Sequence, residues 1–386
     1  MAKLGEVFTL QMGKTPARAR EDYWNTGDNA WVSISDISAC GKYVGKTKET
    51  ISDLAVRESG IKIVPADTVI MSFKLTLGKT AITVDPIYTN EAIMAFIPNG
   101  SYPIHTGYLY HFCSGRDWTA GTNRAVMGTT LNKATISEIE VEIPPLSEQI
   151  DIANRLDDID ALIIARREQL AKLDELVKSR FIEMFGAGKY PIVKAADVCD
   201  FITKGTTPPT GEITEKYEIG LIPYLKVYNL SFTGELLFDS MPQYIPVETH
   251  NKQLARSKVV PNDVLMNIVG PPLGKFSLVT DEFSEWNINQ AIAIFRAKDR
   301  VLPRYLLAAL MQPEVLRPFL EQAVGIRQLN LSLEQCRNLE FPLPPIEEQK
   351  AFVSFSEQTD KSKFEIQQSL EKLETLKKNL MQQYFG

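Results

Sequence analysis

Gly-Lys-Thr stands three times in this chain, beginning at Gly13, Gly45 and Gly78, and in a phosphate-binding loop that triplet holds the anion. The complete loop also needs a glycine five residues upstream, so that successive backbone N–H groups can wrap the phosphate. Those positions hold Phe8, Cys40 and Phe73, so none of the three is such a loop. No Gly-x-Gly-x-x-Gly follows an apolar strand, and neither a Gly-x-Ser-x-Gly elbow nor a His-Glu-x-x-His pair occurs. The four Pro-Pro pairs are flanked as Ile143-Pro-Pro-Leu146, Thr207-Pro-Pro-Thr210, Gly270-Pro-Pro-Leu273 and Leu343-Pro-Pro-Ile346. None is the Asp/Asn-Pro-Pro-aromatic tetrapeptide of amino-methyltransferases. Cys40, Cys113, Cys199 and Cys336 lie far apart, and with His105, His111 and His250 they give no zinc spacing or disulfide framework. Neither catalysis nor a metal site is expected of this chain.

The elements that would position any site are clearer. From Pro144 to Gly186 the sequence predicts one long helix: prolines rigidify the entry, Ser147 offers an N-cap oxygen, and Gly186 stands where a left-handed C′ residue is wanted. Ile152, Leu156, Ile159, Ile163, Leu170, Leu173 and Val177 recur at steps of three and four, forming one apolar stripe. The same object returns 200 residues later, from Pro344 to Gly386, with Pro-Pro, Glu-Gln, a Leu-x-Lys-Leu-x-x-Leu core and a final Phe-Gly in register. Its stripe includes Ile366, Leu370 and Leu373. The protein is therefore two copies of one unit, each a globular segment followed by a long helix. A helix of about 37 residues is roughly 55 Å long. A second helix whose stripe meets the first must run antiparallel to it, as a coiled-coil seam. Arg166 and Lys363 fall on the stripes and could face a partner or fix the register.

The globular segments repeat one plan. Ala30–Ile34, Val69–Phe73, Thr80–Val84 and Ile139–Ile143 have the pattern of short strands. Gly205-Thr-Thr-Pro208 echoes Gly13-Lys-Thr-Pro16, Leu273-Gly-Lys275 echoes Leu77-Gly-Lys79, and Asn289-Gln-Ala-Ile292 echoes Asn90-Glu-Ala-Ile93. The expected fold class is α+β: two mixed α/β domains in tandem repeat, joined by two long antiparallel helices with pseudo-twofold symmetry. The expected domains are 1–142 and 187–342, with helices at 143–186 and 343–386.

The net charge of −6 resides mostly in the helices, which hold nine acids to six bases in 143–186 and seven to six in 343–386. The globular segments are nearly neutral, so net charge does not decide for or against nucleic acid. No apolar run reaches the ~18 residues of a membrane span, and Met1–Leu10 lacks signal-peptide anatomy. A cytoplasmic location without membrane contact is expected. A twofold arrangement with separated ends suits a split, inverted DNA target, and it suits equally a coiled-coil interaction scaffold with two protein-binding heads.

The arrangement resembles the specificity (S) subunit of type I restriction–modification enzymes. The resemblance rests on Ile143-Pro-Pro-Leu-Ser-Glu-Gln149 and Pro342-Leu-Pro-Pro-Ile-Glu-Glu-Gln349, on the helix end Lys178-Ser-Arg-Phe-Ile-Glu-Met-Phe-Gly186, on the Gly-x-Thr-Pro loops, and on Ile222-Pro-Tyr-Leu-Lys-Val-Tyr-Asn229. The first copy departs from this last pattern (Ala30-Trp-Val-Ser-Ile-Ser-Asp36). The resemblance implies a non-catalytic reader of a bipartite site in double-stranded DNA. It implies two modification (M) subunits bringing S-adenosylmethionine to methylate adenine, and it allows two restriction (R) subunits, with ATP and magnesium, to join for cleavage.

Base edges are read by side chains with paired donors and acceptors, and phosphates by Lys, Arg, Ser and Thr. On that footing the DNA-contact candidates of the first unit are Lys14, Thr15, Arg18, Arg20, Lys42, Lys46 and Arg124. Those of the second are Lys204, Thr206, Thr207, Lys226, Tyr228, Asn229, Arg327, Gln328 and Asn330. Any one of them could equally be an ordinary solvated loop residue.

Overall fold

The computed structural model describes residues 1–118, 131–186, 188–209, 211–270, 272–321 and 330–386. The candidates Arg124, Arg327 and Gln328 lie outside the described residues. The chain forms two compact units, one of residues 1–167 with 368–386, the other of residues 168–367. Each long helix thus gives one part of its length to each unit.

In the first unit a five-stranded sheet runs in the order Phe8–Met12, Ile93–Pro98, Val69–Ser72, Thr80–Thr83, Tyr43–Val44. Its central strands are buried on both faces, and alternation decides which residue goes where. Val69, Met71, Ile82, Met94 and Phe96 meet Leu109, Phe112 and Cys113 of the helix Thr106–Gly115. Ile70, Ala81, Ile93 and Ala95 face the other way, onto Val32, Ile37, Val44, Val64 and Ile87. A smaller sheet, Glu49–Ile51, Trp24–Val32, Tyr88–Thr89, lies beyond.

The second unit repeats the scheme. Cys199–Lys204, Ile292–Ala297, Val264–Asn267 and Phe276–Leu278 form one sheet, and Tyr244–Pro246, Leu221–Leu225, Trp286–Ile288 and Lys258–Val259 the other. Val264, Met266, Ala293 and Phe295 pack with Tyr305, Leu306 and Leu310 of the helix Pro303–Leu310, while Leu265, Ile292 and Ile294 pack with Leu225, Trp286 and Ile288. Three of the four strands expected in the first copy are present in shortened form. The fourth ends at Val32, because Ile34–Ala39 is a helix opened by a hydrogen bond from the Ser33 N–H to Asp36 Oδ2 at 2.9 Å.

The long helices are Leu146–Phe185 and Ile346–Phe385, 40 residues each. Ser147 lies inside the first turn and not at the cap, since Glu148 N–H already donates to the Pro145 carbonyl at 2.9 Å. Gly186 has no positive φ; the left-handed glycine is Gly188 (φ 83°), two residues on.

Within each unit the two helices run antiparallel. In the first, Arg167 pairs with Glu374 at 2.7 Å, Asp160 with Lys377, and Arg155 reaches the Tyr384 hydroxyl at 3.3 Å. In the second, Lys363 pairs with Asp174, which accounts for a lysine on the stripe. Ile152, Leu156, Ile159, Ile163 and Leu370 are buried, and Leu170, Leu173, Ile366 and Leu373 are half-buried. The repeated Phe-Gly ends have one role. Phe385 meets Tyr108 at 5.2 Å, Phe185 meets Tyr305 at 5.1 Å, and these tyrosines donate to the carbonyls of Glu142 (3.0 Å) and Pro342 (2.6 Å). No helix among the described residues is long and apolar enough to cross a membrane.

Candidate nucleic-acid interface

In each unit the Gly-x-Thr-Pro loop leaves the edge strand of one sheet (Phe8–Met12, Cys199–Lys204) and crosses the end of a strand in the other (Tyr88–Thr89, Trp286–Ile288). The crossing is so close that only glycine fits. A Cβ on Gly13 would stand 2.1 Å from the Thr89 carbonyl oxygen, and one on Gly205 2.0 Å from that of Asn289. Backbone bonds fix both crossings: Lys14 N–H to Thr89 O at 2.8 Å, and Gly205 N–H to Ile292 O at 3.0 Å. An aromatic side chain from the neighbouring strand pins the loop. Trp31 Nε1 donates to the Lys14 carbonyl at 3.1 Å, and the Tyr224 hydroxyl donates to that of Thr206 at 3.2 Å. Thr15 and Thr207 bond to Glu91 and Gln290, which hold equivalent places in the two copies.

Different side chains stand on this shared mount. In the first unit a second indole, Trp24, donates to the Ala17 carbonyl at 3.2 Å and meets Trp31 edge-on at 4.9 Å. The Arg18 guanidinium lies 3.7 Å over Trp24 and is held by Glu49. Arg20 stacks on Tyr23 and pairs with Asp22 at 2.6 Å, and that hydrogen bond holds the Asp22 carboxyl below its usual range. The Lys14 ammonium donates to the Ser59 carbonyl, and Lys46 is exposed. In the second unit Arg256 Nε donates to Thr206 Oγ1 at 3.1 Å, while Lys204 and Asn330 are exposed and Lys226 is half-exposed. The Tyr228 hydroxyl is buried without a hydrogen-bond partner among the described residues, and burial raises its pKa.

Two of the expected contact residues are committed elsewhere. Asn229 is fully buried: its Oδ1 accepts the Lys226 N–H at 2.9 Å and its Nδ2 donates to the Leu237 carbonyl at 3.2 Å. The same Nδ2 reaches the Met241 carbonyl at 3.5 Å, so the side chain caps a turn and has no donor left for a base. Lys42 pairs with Asp157 of the first long helix at 2.5 Å. His111 Nε2 reaches the same carboxylate at 2.8 Å. Burial pushes the Asp157 carboxyl up, but bonds from Lys42 and His111 outweigh it and hold it below its usual range. Burial lowers His111 despite that carboxylate, and its Nδ1 has no partner among the described residues to take a second proton. This cluster joins the globular part of the first unit to its helix.

Two glutamines outside the expected contact set hold the starts of the long helices in place. Gln149, fully buried, accepts the His105 N–H at 2.9 Å and donates to the carbonyls of Pro103 and Pro144, both at 2.9 Å. Gln349 accepts the Leu302 N–H at 2.9 Å and donates to Arg300 and Pro344. The Glu-Gln repeat was their signal. Among the described residues no group of three or more His, Cys, Asp or Glu is placed to hold a metal ion.

Two copies of one α+β unit, each presenting a glycine-pinned polar loop and each built on long antiparallel helices, define a duplicated recognition module. The chain matches the family described as type I restriction modification DNA specificity domain over residues 1–175 and 188–378, and it belongs to that family. It is 27% identical over 189 residues to the type I restriction enzyme MjaIX specificity subunit of Methanocaldococcus jannaschii, covering 47% of this chain and 43% of that one. It is 25% identical over 289 residues to the EcoBI specificity subunit of Escherichia coli, covering 65% and 58%. The matched part is thus less than two thirds of either relative. The fold is shared with a chain solved in work on complex assembly and conformational transition of the type I R-M system (TM-score 0.62, 18% identity, 100% of this chain and 96% of that one). It is also shared with the type I restriction-modification S subunit of M. genitalium (TM-score 0.53, 13% identity, 100% and 95%).

Proposed function

We propose that this chain is the non-catalytic DNA-recognition subunit of a type I restriction–modification complex. Each unit reads one half of a bipartite site in double-stranded DNA. The helix pair sets the gap and docks two adenine methyltransferase subunits, which bring S-adenosylmethionine; restriction subunits with ATP and magnesium join where cleavage follows. The complex works in the cytoplasm.

The observation that carries this reading is the duplicated mount. Gly13 and Gly205 hold the same loop in the same way, yet Arg18, Glu49 and two indoles surround one copy and Arg256 meets the other. One scaffold with two sets of polar side chains is what two different half-sites require, since base-edge contacts and not the frame carry sequence information. The test is selection of duplexes from a random pool by the chain co-purified with its methyltransferase. Enrichment of two unlike short elements at a fixed gap supports the reading. Recovery of duplexes with no common sequence sinks it and leaves the interaction scaffold.

A further inference from the structure

We infer that Arg18 reads a guanine in the half-site of the first unit, and that Glu49 holds the guanidinium until a guanine takes its place. The inference rests on the reading that this unit binds DNA. Arg18 stands two residues beyond the shared Gly-x-Thr-Pro loop; the corresponding position in the second copy is Thr210, so the arginine is private to the first.

Its backbone is fixed independently of its side chain, because the carbonyls of Lys14 and Ala17 hang from the indole N–H groups of Trp31 and Trp24. Its guanidinium plane is fixed by the Trp24 face at 3.7 Å, with Trp31 4.9 Å away. Stacking on an aromatic face aims the planar fork and leaves its donors for an in-plane partner. That partner is now Glu49, which takes both terminal nitrogens, Nη2 to Oε2 at 3.0 Å. Glu49 pairs with Trp31 across the smaller sheet, and its own carbonyl is held by Thr47 Oγ1 at 2.8 Å. The carboxylate is therefore part of the framework. Arg18 is 52% exposed and Glu49 32%, so the pair sits at the surface, where an exchange with an incoming ligand is cheap.

A carboxylate that accepts two parallel N–H bonds offers what guanine offers through O6 and N7 in the major groove. Adenine offers one acceptor beside a donor, thymine one acceptor beside a methyl group, and cytosine a donor, so none can replace Glu49 on both nitrogens. Arg20 is a poorer reader, because its Nε, Nη1 and Nη2 are already spread over Asp22 and Glu58.

The test co-expresses the chain with its adenine methyltransferase in a host lacking adenine methylation, and reads the methylated motif by single-molecule sequencing. Wild type should show an obligatory guanine in one half-site. Arg18→Ala should accept any base at that position and slow methylation of the original site by roughly 5- to 150-fold, with the other half-site unchanged as an internal control of folding. Arg18→Lys, which keeps the charge and loses the fork, should relax the same position. Glu49→Gln should keep the guanine and raise methylation of sites mismatched there several-fold relative to the cognate site; an unchanged ratio removes the gating role. An unaltered motif with Arg18→Ala overturns the inference, as does uniform slowing at every site, which marks a phosphate contact, or a first half-site without guanine. Each of those leaves the DNA-reading assignment standing. A wild-type complex with no methylated motif overturns both.

Discussion

The side-chain oxygen of Gln149, three residues into the long helix, accepts the backbone N–H of His105 at 2.9 Å, where the helix Thr106–Gly115 begins. The same amide bridges the carbonyls of Pro103 and Pro144. One buried side chain thereby fixes the start of two helices against each other, and Gln349 does the same between Leu302 and Pro344.

Gln149→Glu keeps the acceptor and sets a carboxylate against two carbonyls. Each buried group left unpaired costs about 1–3 kcal/mol. Hydrogen exchange should quicken around residues 103–109 and 146–152 and stay unchanged around 300–306 and 346–352. Equal acceleration in both units would mean that the glutamines do not act locally.

Gly13→Ala puts a methyl group 2.1 Å from a backbone oxygen, so the loop must move. Overpacking of this kind costs about 1–3 kcal/mol. In motif sequencing, Gly13→Ala should damage recognition of one half-site, and Gly205→Ala that of the other. Damage to the same half-site by both variants would contradict two independent readers.

Asp36 and Asn229 occupy equivalent turns but are not interchangeable. Asp36 only accepts, from the N–H groups of Ser33 (2.9 Å) and Lys48 (3.0 Å), whereas Asn229 both accepts and donates. Asp36→Asn turns an N–H toward a donor, and Asn229→Asp turns an oxygen toward a carbonyl. Each exchange should destabilise its own unit by about 1–3 kcal/mol in denaturant titration, and a neutral result would refute the capping roles.

Stability should fall as the pH drops from 7 to 5. Burial holds His111 and His250 below the ordinary value of 6.5, so the unfolded chain binds more protons once the pH passes below that value. The loss begins near pH 6.5 and levels off below the depressed folded values. The low folded pKa of Asp157 adds stability above 3.8 that disappears only in stronger acid. His111→Gln should flatten part of the slope between pH 7 and 5 in denaturant midpoints, leaving the share of His250. An unchanged slope would show that His111 is not buried neutral.

The repeat and its helices were legible because period and spacing survive without side-chain detail: the stripe from Ile152 to Leu173 is buried or half-buried as its spacing implies. The strands were legible for the same reason, although Ser33 and Asp36 turned the end of one into a helix. Polar loop residues were not legible one by one. Asn229 has the chemistry of a base reader, yet its side chain folds back on Lys226 three residues earlier, a spacing it shares with Asp36 and Ser33. Lys42 reaches a carboxylate 115 residues away, which no local pattern encodes. No local pattern marks Glu49, because its importance comes from Arg18 and only the fold brings the two together.

The most direct measurement is genome-wide adenine methylation by single-molecule sequencing, with and without the gene for this chain. Removing it should abolish one bipartite motif, with two unlike halves, a fixed gap and methylated adenines on both strands. An unchanged methylation pattern, with the partner methyltransferase expressed, would contradict the assignment as a DNA reader.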